Sequence, residues 1–200
     1  MGNILFFDTE TSGFFSNNLS LNDPCQQRVL QVAWLVSDHK FDNASIFNYY
    51  VKPLDSKLYN KDGWFIHPRA AEVHGITLEF CDKVGVPMSN ILSMLYHTLQ
   101  TVDSVCAHSV EFDCRAINTE YRRDGRTPLL EGFNKICTKK LSDSFRKRNN
   151  VLIESSSLDC MYKHFVGSEM KGGHNAIYDV IACKEVYKHI KNMENKNDRF

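Results

Sequence analysis

Apolar and polar residues alternate through the first quarter of the chain, and further on they fall into a helical period. Asn3–Phe7 is a short apolar run that ends at Asp8, the pattern of a buried central strand delivering a polar residue at its C-terminal end. Val29–Ser37 and Ser45–Val51 alternate apolar with polar positions, carry β-branched and aromatic residues, and flank a turn at Asp42-Asn43. That predicts a hairpin extending the sheet. Residues 14–27 are turn-rich and read as a loop, and Pro53 to Pro68 is irregular. Ile91, Leu92, Leu95 and Leu99 then recur at the 3.6 period, which predicts a helix capped by Ser89. Ser104–Ala107 predicts a short strand, followed by a helix from about Phe112 to Arg123 that Gly125 terminates. Lys135–Cys137 predicts another strand, and helices follow over 155–166, capped by Ser157, and 176–191. Strands first, then strands alternating with helices, give one α/β domain with a mixed sheet. It is placed at residues 1–192, leaving a polar tail at 193–200 that is expected to fray.

Composition narrows the function classes. A chain of 200 residues with 42% apolar content can bury a core without staples. Its formal net charge is +0, so no global field draws it to nucleic acid or to an acidic membrane. A nucleic-acid site must then be a local patch or a metal centre. The 7 cysteines lack any C-x-x-C pair, which points away from a disulfide framework or structural zinc and toward buried thiols in a reducing compartment. No apolar run has membrane-spanning length. The chain starts directly in a strand, so no leader is expected, the Asn18 and Asn43 glycosylation triplets read as chance, and the expected location is intracellular, cytoplasmic or nucleoid-associated.

The chemistry lies in three acidic stretches. Asp8-Thr9-Glu10 follows the first strand, and side chains at i and i+2 share a strand face. Two carboxylates pointing together repel unless a cation lies between them. Alone, such a pair reads as a solvated surface turn. Asp113 repeats the placement, just past a short strand where a helix begins. In the third stretch Gly172-Gly173 allows a tight turn, His174 precedes a helix and Asp179 lies in that helix's first turn and a half. The two meet at one site if His174 folds back over the helix start. Hard cations such as Mg²⁺ or Mn²⁺ take carboxylate oxygens. Two such ions about 3.5–4 Å apart clamp the attacking and leaving oxygens of an in-line phosphoryl displacement. A neutral imidazole can take the water's proton near neutral pH.

These stretches resemble a known family. Asp8-Thr-Glu10-Thr-Ser-Gly, His108-x-x-x-Phe112-Asp113 and His174-x-x-x-x-Asp179 are similar to the three motifs of the DEDD superfamily of 3′→5′ exonucleases, in its histidine-containing branch. That branch includes the proofreading epsilon subunit of bacterial DNA polymerase III and ribonuclease T. Residues Ile66 to Thr77, with Val-His74-Gly-Ile, and the step at Ile136 to Leu141 extend the likeness across about 3–190. The resemblance implies an RNase H-like exonuclease fold, a mixed five-stranded sheet flanked by helices with the acids clustered at one edge. It implies two divalent cations, Mg²⁺ or Mn²⁺: Asp8 bridges both, Glu10 and Asp179 complete one ion, Asp113 serves the other, and His174 is the general base. Thr9, Thr11, Ser12 and Gly13 would approach the terminal nucleotide, His74 and Phe112 would line its base and sugar pocket, and His108 would play a secondary part.

The expected partner is nucleic acid, single-stranded 3′ ends with DNA favoured over RNA. A polymerase or replication partner is compatible with the branch, but nothing after residue 190 resembles the polymerase-binding tail of the proofreading subunit. An exoribonuclease of the ribonuclease T or oligoribonuclease type keeps the same chemistry. A non-catalytic binding module on the same fold is the reading from another class, disfavoured because all four acids and the histidine are present. Trp64 and Phe65 read as core aromatics ahead of base-stacking ones. Lys139-Lys140 and Arg146-Lys147-Arg148 read as solvated faces ahead of phosphate contacts.

Overall fold

The computed structural model describes residues 2–20, 23, 26–41, 44–53, 64–149 and 152–197; the side chains of 196–197 are outside the description. The turn expected at Asp42-Asn43, most of the irregular stretch after Pro53, and Cys25 lie outside the described residues. Five strands form one sheet: β1 (Asn3–Thr11), β2 (Val29–Ser37), β3 (Ala44–Tyr50), β4 (Val102–Ala107) and β5 (Asn134–Cys137), in the order β3-β2-β1-β4-β5. β1 runs antiparallel to β2 and parallel to β4, so the sheet is mixed, as the element pattern implies. The described helices are α1 (Pro68–His74), α2 (Leu78–Val84), α3 (Met88–Leu99), α4 (Val110–Arg123), α5 (Thr138–Asn149), α6 (Leu158–Val166) and α7 (Ala176–Asn197).

The strand period sorts the core into two layers. Leu5 and Phe7 pack with Val32 and Trp34 against α3 and α4, through Ile91, Leu95, Ile117 and Tyr121. Ile4 and Phe6 point the other way, with Ala33 and Leu35, onto the α7 stripe Ala176, Val180, Cys183 and Tyr187. That stripe has spacings of four, three and four, the helical period for one face. Phe6 and Tyr187 meet edge to face at 5.6 Å. Both layers cover β1, which is why its first half is uniformly apolar.

Several elements differ from the sequence reading. β1 does not stop at Phe7; pairing with β2 continues through Asp8↔Ala33, Thr9↔Val32 and Glu10↔Gln31, so the motif acids are strand residues. A register shift follows at Glu10/Thr11, and the chain leaves the sheet one residue later, after Thr11 pairs with Val29. Ser89 does not cap α3. Pro87 holds the N-cap position with φ −52 and ψ 133, and the Ser89 carbonyl instead accepts from Ser93 and Arg126. α4 begins at Val110 rather than Phe112, and α7 runs past the expected end at 191 through Asn197, into the tail where fraying was expected. Lys191 with Glu194 and Arg148 with Glu194 tie that last stretch down. Trp64 is buried, whereas Phe65 is 60% exposed, so the pair splits between core and surface. Among the described residues no helix is long and apolar enough to cross a membrane.

One buried polar side chain joins the sheet to α7. Gln31, opposite Glu10 on β2, is fully buried and uses both ends of its amide. Its Nε2 donates to Asn48 Oδ1 and Asn175 Oδ1 (both 2.9 Å), and its Oε1 accepts from the Ala176 N–H at 3.3 Å. The start of α7 is thereby fixed beneath Glu10. Replacing Gln31 by Leu removes the partner of the Ala176 N–H and of the Asn48 amide oxygen and one of two donors to Asn175, so denaturant titration should show a loss of about 2 kcal/mol.

Candidate metal centre

Three short segments converge at the C-terminal end of β1. Asp8 and Glu10 continue the Ile4/Phe6 parity and face α7, where Asp179 lies in the first turn and a half. Carboxylate oxygens of Asp8, Glu10 and Asp179 all lie within 4.8 Å of one another, the one such cluster of metal-ligating groups among the described residues. Asp113 reaches the same place from the opposite layer. Thr9 points toward α4, and its N–H and Oγ1 both donate to Asp113 Oδ1, at 3.1 and 2.8 Å. Asp113 is thus hydrogen-bonded into position while the other three face one another. All four line one open cavity of about 330 Å³. The cluster sits at the end of the central strand, not along an outer edge of the sheet, because β1 is third of five.

The electrostatics follow from packing like charges where water is scarce. Burial, then Asp179 and Asp113, pushes Glu10 up to about 7. Burial raises Asp113 to about 7 despite the two Thr9 hydrogen bonds, which pull the other way. Burial raises Asp179 to about 6, opposed by His174. Asp8, at the centre, is raised well above the carboxylate range by burial and by Asp113, Asp179 and Glu10 in turn. Asp179 Oδ1 is buried with no hydrogen-bond partner. An oxygen-only donor set, mutually repelling and with an orphaned buried oxygen, fits a hard divalent cation.

His174 lines the same cavity, as its place before the helix implies. It reaches there through a left-handed backbone, φ 63, following Gly172 at φ 68. A Cβ on Gly172 would come within 2.6 Å of the Tyr178 ring, so this turn needs glycine for space as well as for φ. The His174 backbone N–H and imidazole both favour the ionised form of Asp179, against the larger effect of burial.

The remaining sequence candidates divide. Thr9, His108 and Phe112 line the cavity with the acids. Burial first, then neighbouring Lys139, pushes His108 down to about 4, and its Nδ1 shares a hydrogen bond with Thr138 Oγ1 at 3.0 Å. Thr11, Ser12, Gly13 and His74 do not line the cavity; they build the turn that leaves β1. Thr11 Oγ1 donates to the Gly13 carbonyl (2.7 Å), and Ser12 exchanges hydrogen bonds with the Arg28 backbone. His74 Nδ1 accepts from the Ile76 N–H, so its Nε2 carries the proton and donates to the Thr11 carbonyl at 3.2 Å. Both ring nitrogens are therefore engaged in holding the turn.

Two residues escaped the sequence reading. Phe14 is 82% exposed and meets the cavity-lining Phe112 edge to face at 6.3 Å, and Phe15 meets the same ring at 5.8 Å. The signal was an aromatic pair directly after Gly13. Asp159 is a fifth acid lining the cavity. It was masked by its position in the first turn of α6, where an acid suits the helix dipole without a ligand.

A family model described as "Exonuclease", RNase_T, matches residues 5–187. Solved structures share the RNase H-like fold. Escherichia coli Exonuclease I in complex with a dT13 oligonucleotide aligns with TM-score 0.77 and 20% identity, over 100% of this chain and 43% of that one. Exonuclease I from Methylocaldum szegediense aligns with TM-score 0.72 and 18% identity, over 98% of this chain and 42% of that one. A zinc-bound E. coli enzyme–single-stranded DNA complex aligns with TM-score 0.76 and 21% identity, over 98% and 42%. At such identity the likeness is one of fold, and the chain spans well under half the length of these proteins. No curated protein matches the chain.

The raised carboxylates carry a pH signature. In the unfolded chain they release protons near 4, whereas in the folded, metal-free protein they hold them to between 6 and 7. Their contribution to stability is complete below the unfolded values and is lost as pH rises through the folded ones. Thermal melts in a chelator should show Tm falling from about pH 5 to about pH 8. Mn²⁺ should restore it at the higher pH, and Asp8→Asn should flatten the fall. A chelated Tm that does not change with pH in the parent protein would mean that the acids are separately solvated.

Proposed function

Because the chain belongs to the exonuclease family over residues 5–187, we propose that it is a 3′→5′ exonuclease of the histidine-containing branch, releasing nucleoside 5′-monophosphates from single-stranded DNA. Residues 1–192 form the exonuclease unit in this reading. The observation that carries it is the meeting of Asp8, Glu10 and Asp179 within 4.8 Å, with Asp113 and His174 lining the same cavity. The DNA preference draws support from relatives of the same fold solved with DNA oligonucleotides.

Asp8, Glu10, Asp113 and Asp179 would hold two divalent cations, Mg²⁺ or Mn²⁺, which when bound supply Lewis acidity and charge neutralisation for an in-line displacement at phosphorus. The chain's own groups do the rest. His174, presented by its left-handed turn, takes the proton of the attacking water as general base. Thr9 holds Asp113 through two hydrogen bonds to one oxygen, so that carboxylate keeps its orientation through turnover. Phe112 and Phe14 offer an aromatic corner at the cavity mouth on which a terminal base can stack, a contact tolerant of base identity. The turn built by Thr11, Ser12 and His74 holds that corner in place rather than touching the substrate.

Matched labelled DNA and RNA oligomers with Mn²⁺ test the activity and its polymer together. Degradation should proceed from the 3′ end and be faster on DNA; a lasting preference for RNA overturns the DNA assignment. Asp8→Ala should abolish metal-dependent degradation, and normal trimming by that variant would refute the site. His174→Ala should keep Mn²⁺ binding by calorimetry while turnover falls by about 10²–10⁴-fold. Loss of the metal in that variant would make His174 a ligand.

A further inference from the structure

The cavity that holds the acids contains one strong cation. Asp8, Glu10, Asp113, Asp159 and Asp179 line it, and Lys139 is the sole lysine or arginine among the described lining residues. Lys139 is the second residue of α5, at the point where β5 hands over to the helix. Its backbone N–H donates to the His108 carbonyl at 3.2 Å, which fixes the root of the side chain beside β4's end.

The structure separates this lysine from the basic residues that surround it in sequence. Arg146 donates to Ser156 Oγ at 3.0 Å and to the Ile153 carbonyl, so it clamps the segment leading into α6. Arg148 pairs with Glu194 at 2.7 Å, and Lys135 pairs with Glu111 at 3.4 Å. Lys140 is exposed and does not line the cavity. Lys139 forms no ion pair among the described residues and, though exposed, lines the same cavity as five acids. A lysine kept there without a carboxylate partner has its charge available for an anion that arrives with the substrate.

We propose that Lys139 is a phosphate-positioning residue that takes the phosphate on the 5′ side of the scissile one. This deepens the exonuclease reading and rests on it. The scissile phosphate lies among the four acids and whatever cations they hold, where a lysine is electrostatically redundant. The next phosphate along the strand leaves that neutralised region and meets Lys139 beside a neutral His108, which supplies no charge of its own. Lys139 therefore converts a second nucleotide linkage into binding strength, and makes the protein prefer oligomers over dinucleotides. A point-charge contact of this kind is indifferent to base sequence and weakens with salt.

The test compares two substrates in the Mn²⁺-loaded protein: a dinucleoside monophosphate, dTpdT, whose only phosphate is scissile, and a single-stranded oligo(dT). Lys139→Ala should raise KM for the oligomer about tenfold with kcat nearly unchanged, and should lower the slope of log KM against log salt by about 0.7. Activity on dTpdT should be the same as in the parent. Lys140→Ala, one residue away but outside the cavity, should alter neither substrate. Lys139 is exposed, so thermal melts should match the parent and exclude a folding cause. An unchanged oligomer KM and salt slope would return Lys139 to a solvated face. Equal losses on both substrates would move it to the scissile phosphate and overturn the subsite. If the parent protein degrades neither substrate, the exonuclease reading itself fails, which is a different result from a parent that is active and a variant that is unaffected.

Discussion

Mutual repulsion among carboxylates held out of water is the constraint around which the molecule is arranged. Left to themselves, four acids in a small cavity would separate or keep their protons, and the upward shifts of Asp8, Glu10, Asp113 and Asp179 record burial first and neighbouring carboxylates second. The fold resists separation by fastening the four acids to three rigid elements. Asp8 and Glu10 are in the central strand, paired on one side with β2, while β4 pairs with the strand's earlier residues. Asp179 belongs to the long helix packed under one sheet face, and Asp113 to the helix packed on the other. The apolar layers supply the stiffness that keeps the charges together until cations neutralise them.

The sequence made the acids legible because their chemistry needs particular residue types at element ends. Alternation along β1 correctly paired Asp8 with Glu10, even though the strand ran further than its apolar part suggested. The five-residue gap between His174 and Asp179 fits no helical face, and the expectation that His174 folds back over the helix start agrees with its left-handed backbone. What sequence could not show were contacts between residues far apart in the chain. The Thr9–Asp113 hydrogen bonds span 104 positions and the Gln31–Asn175 bond spans 144, and neither leaves a local pattern.

The candidates that moved did so for one reason. The family resemblance implied contact with substrate for Thr11 and Ser12 beside the first motif and for His74 in the Val-His-Gly-Ile stretch. Each instead satisfies backbone groups of the turn leaving β1, where buried N–H and C=O groups need partners. Phe14 and Asp159 moved the other way, from unremarked loop and helix-start positions to contact with a cavity-lining ring and to the lining itself. Local propensity accounts for both positions, and only the tertiary arrangement shows a second use.

The alternation of β1 has a consequence for how the chain can change over time. Ile4 and Phe6 share a face with Asp8 and Glu10, while Leu5 and Phe7 share one with Thr9. Adding or deleting a single residue between Ile4 and Asp8 would turn the downstream half of the strand over. The acids would then face α4, and Thr9 would face α7 with no aspartate to hold. Length variation is therefore shut out of this segment, and the connection from Thr11 to Val29 can lengthen or shorten without altering that parity. Insertions and deletions among relatives should accumulate on one side of Thr11 and be absent on the other.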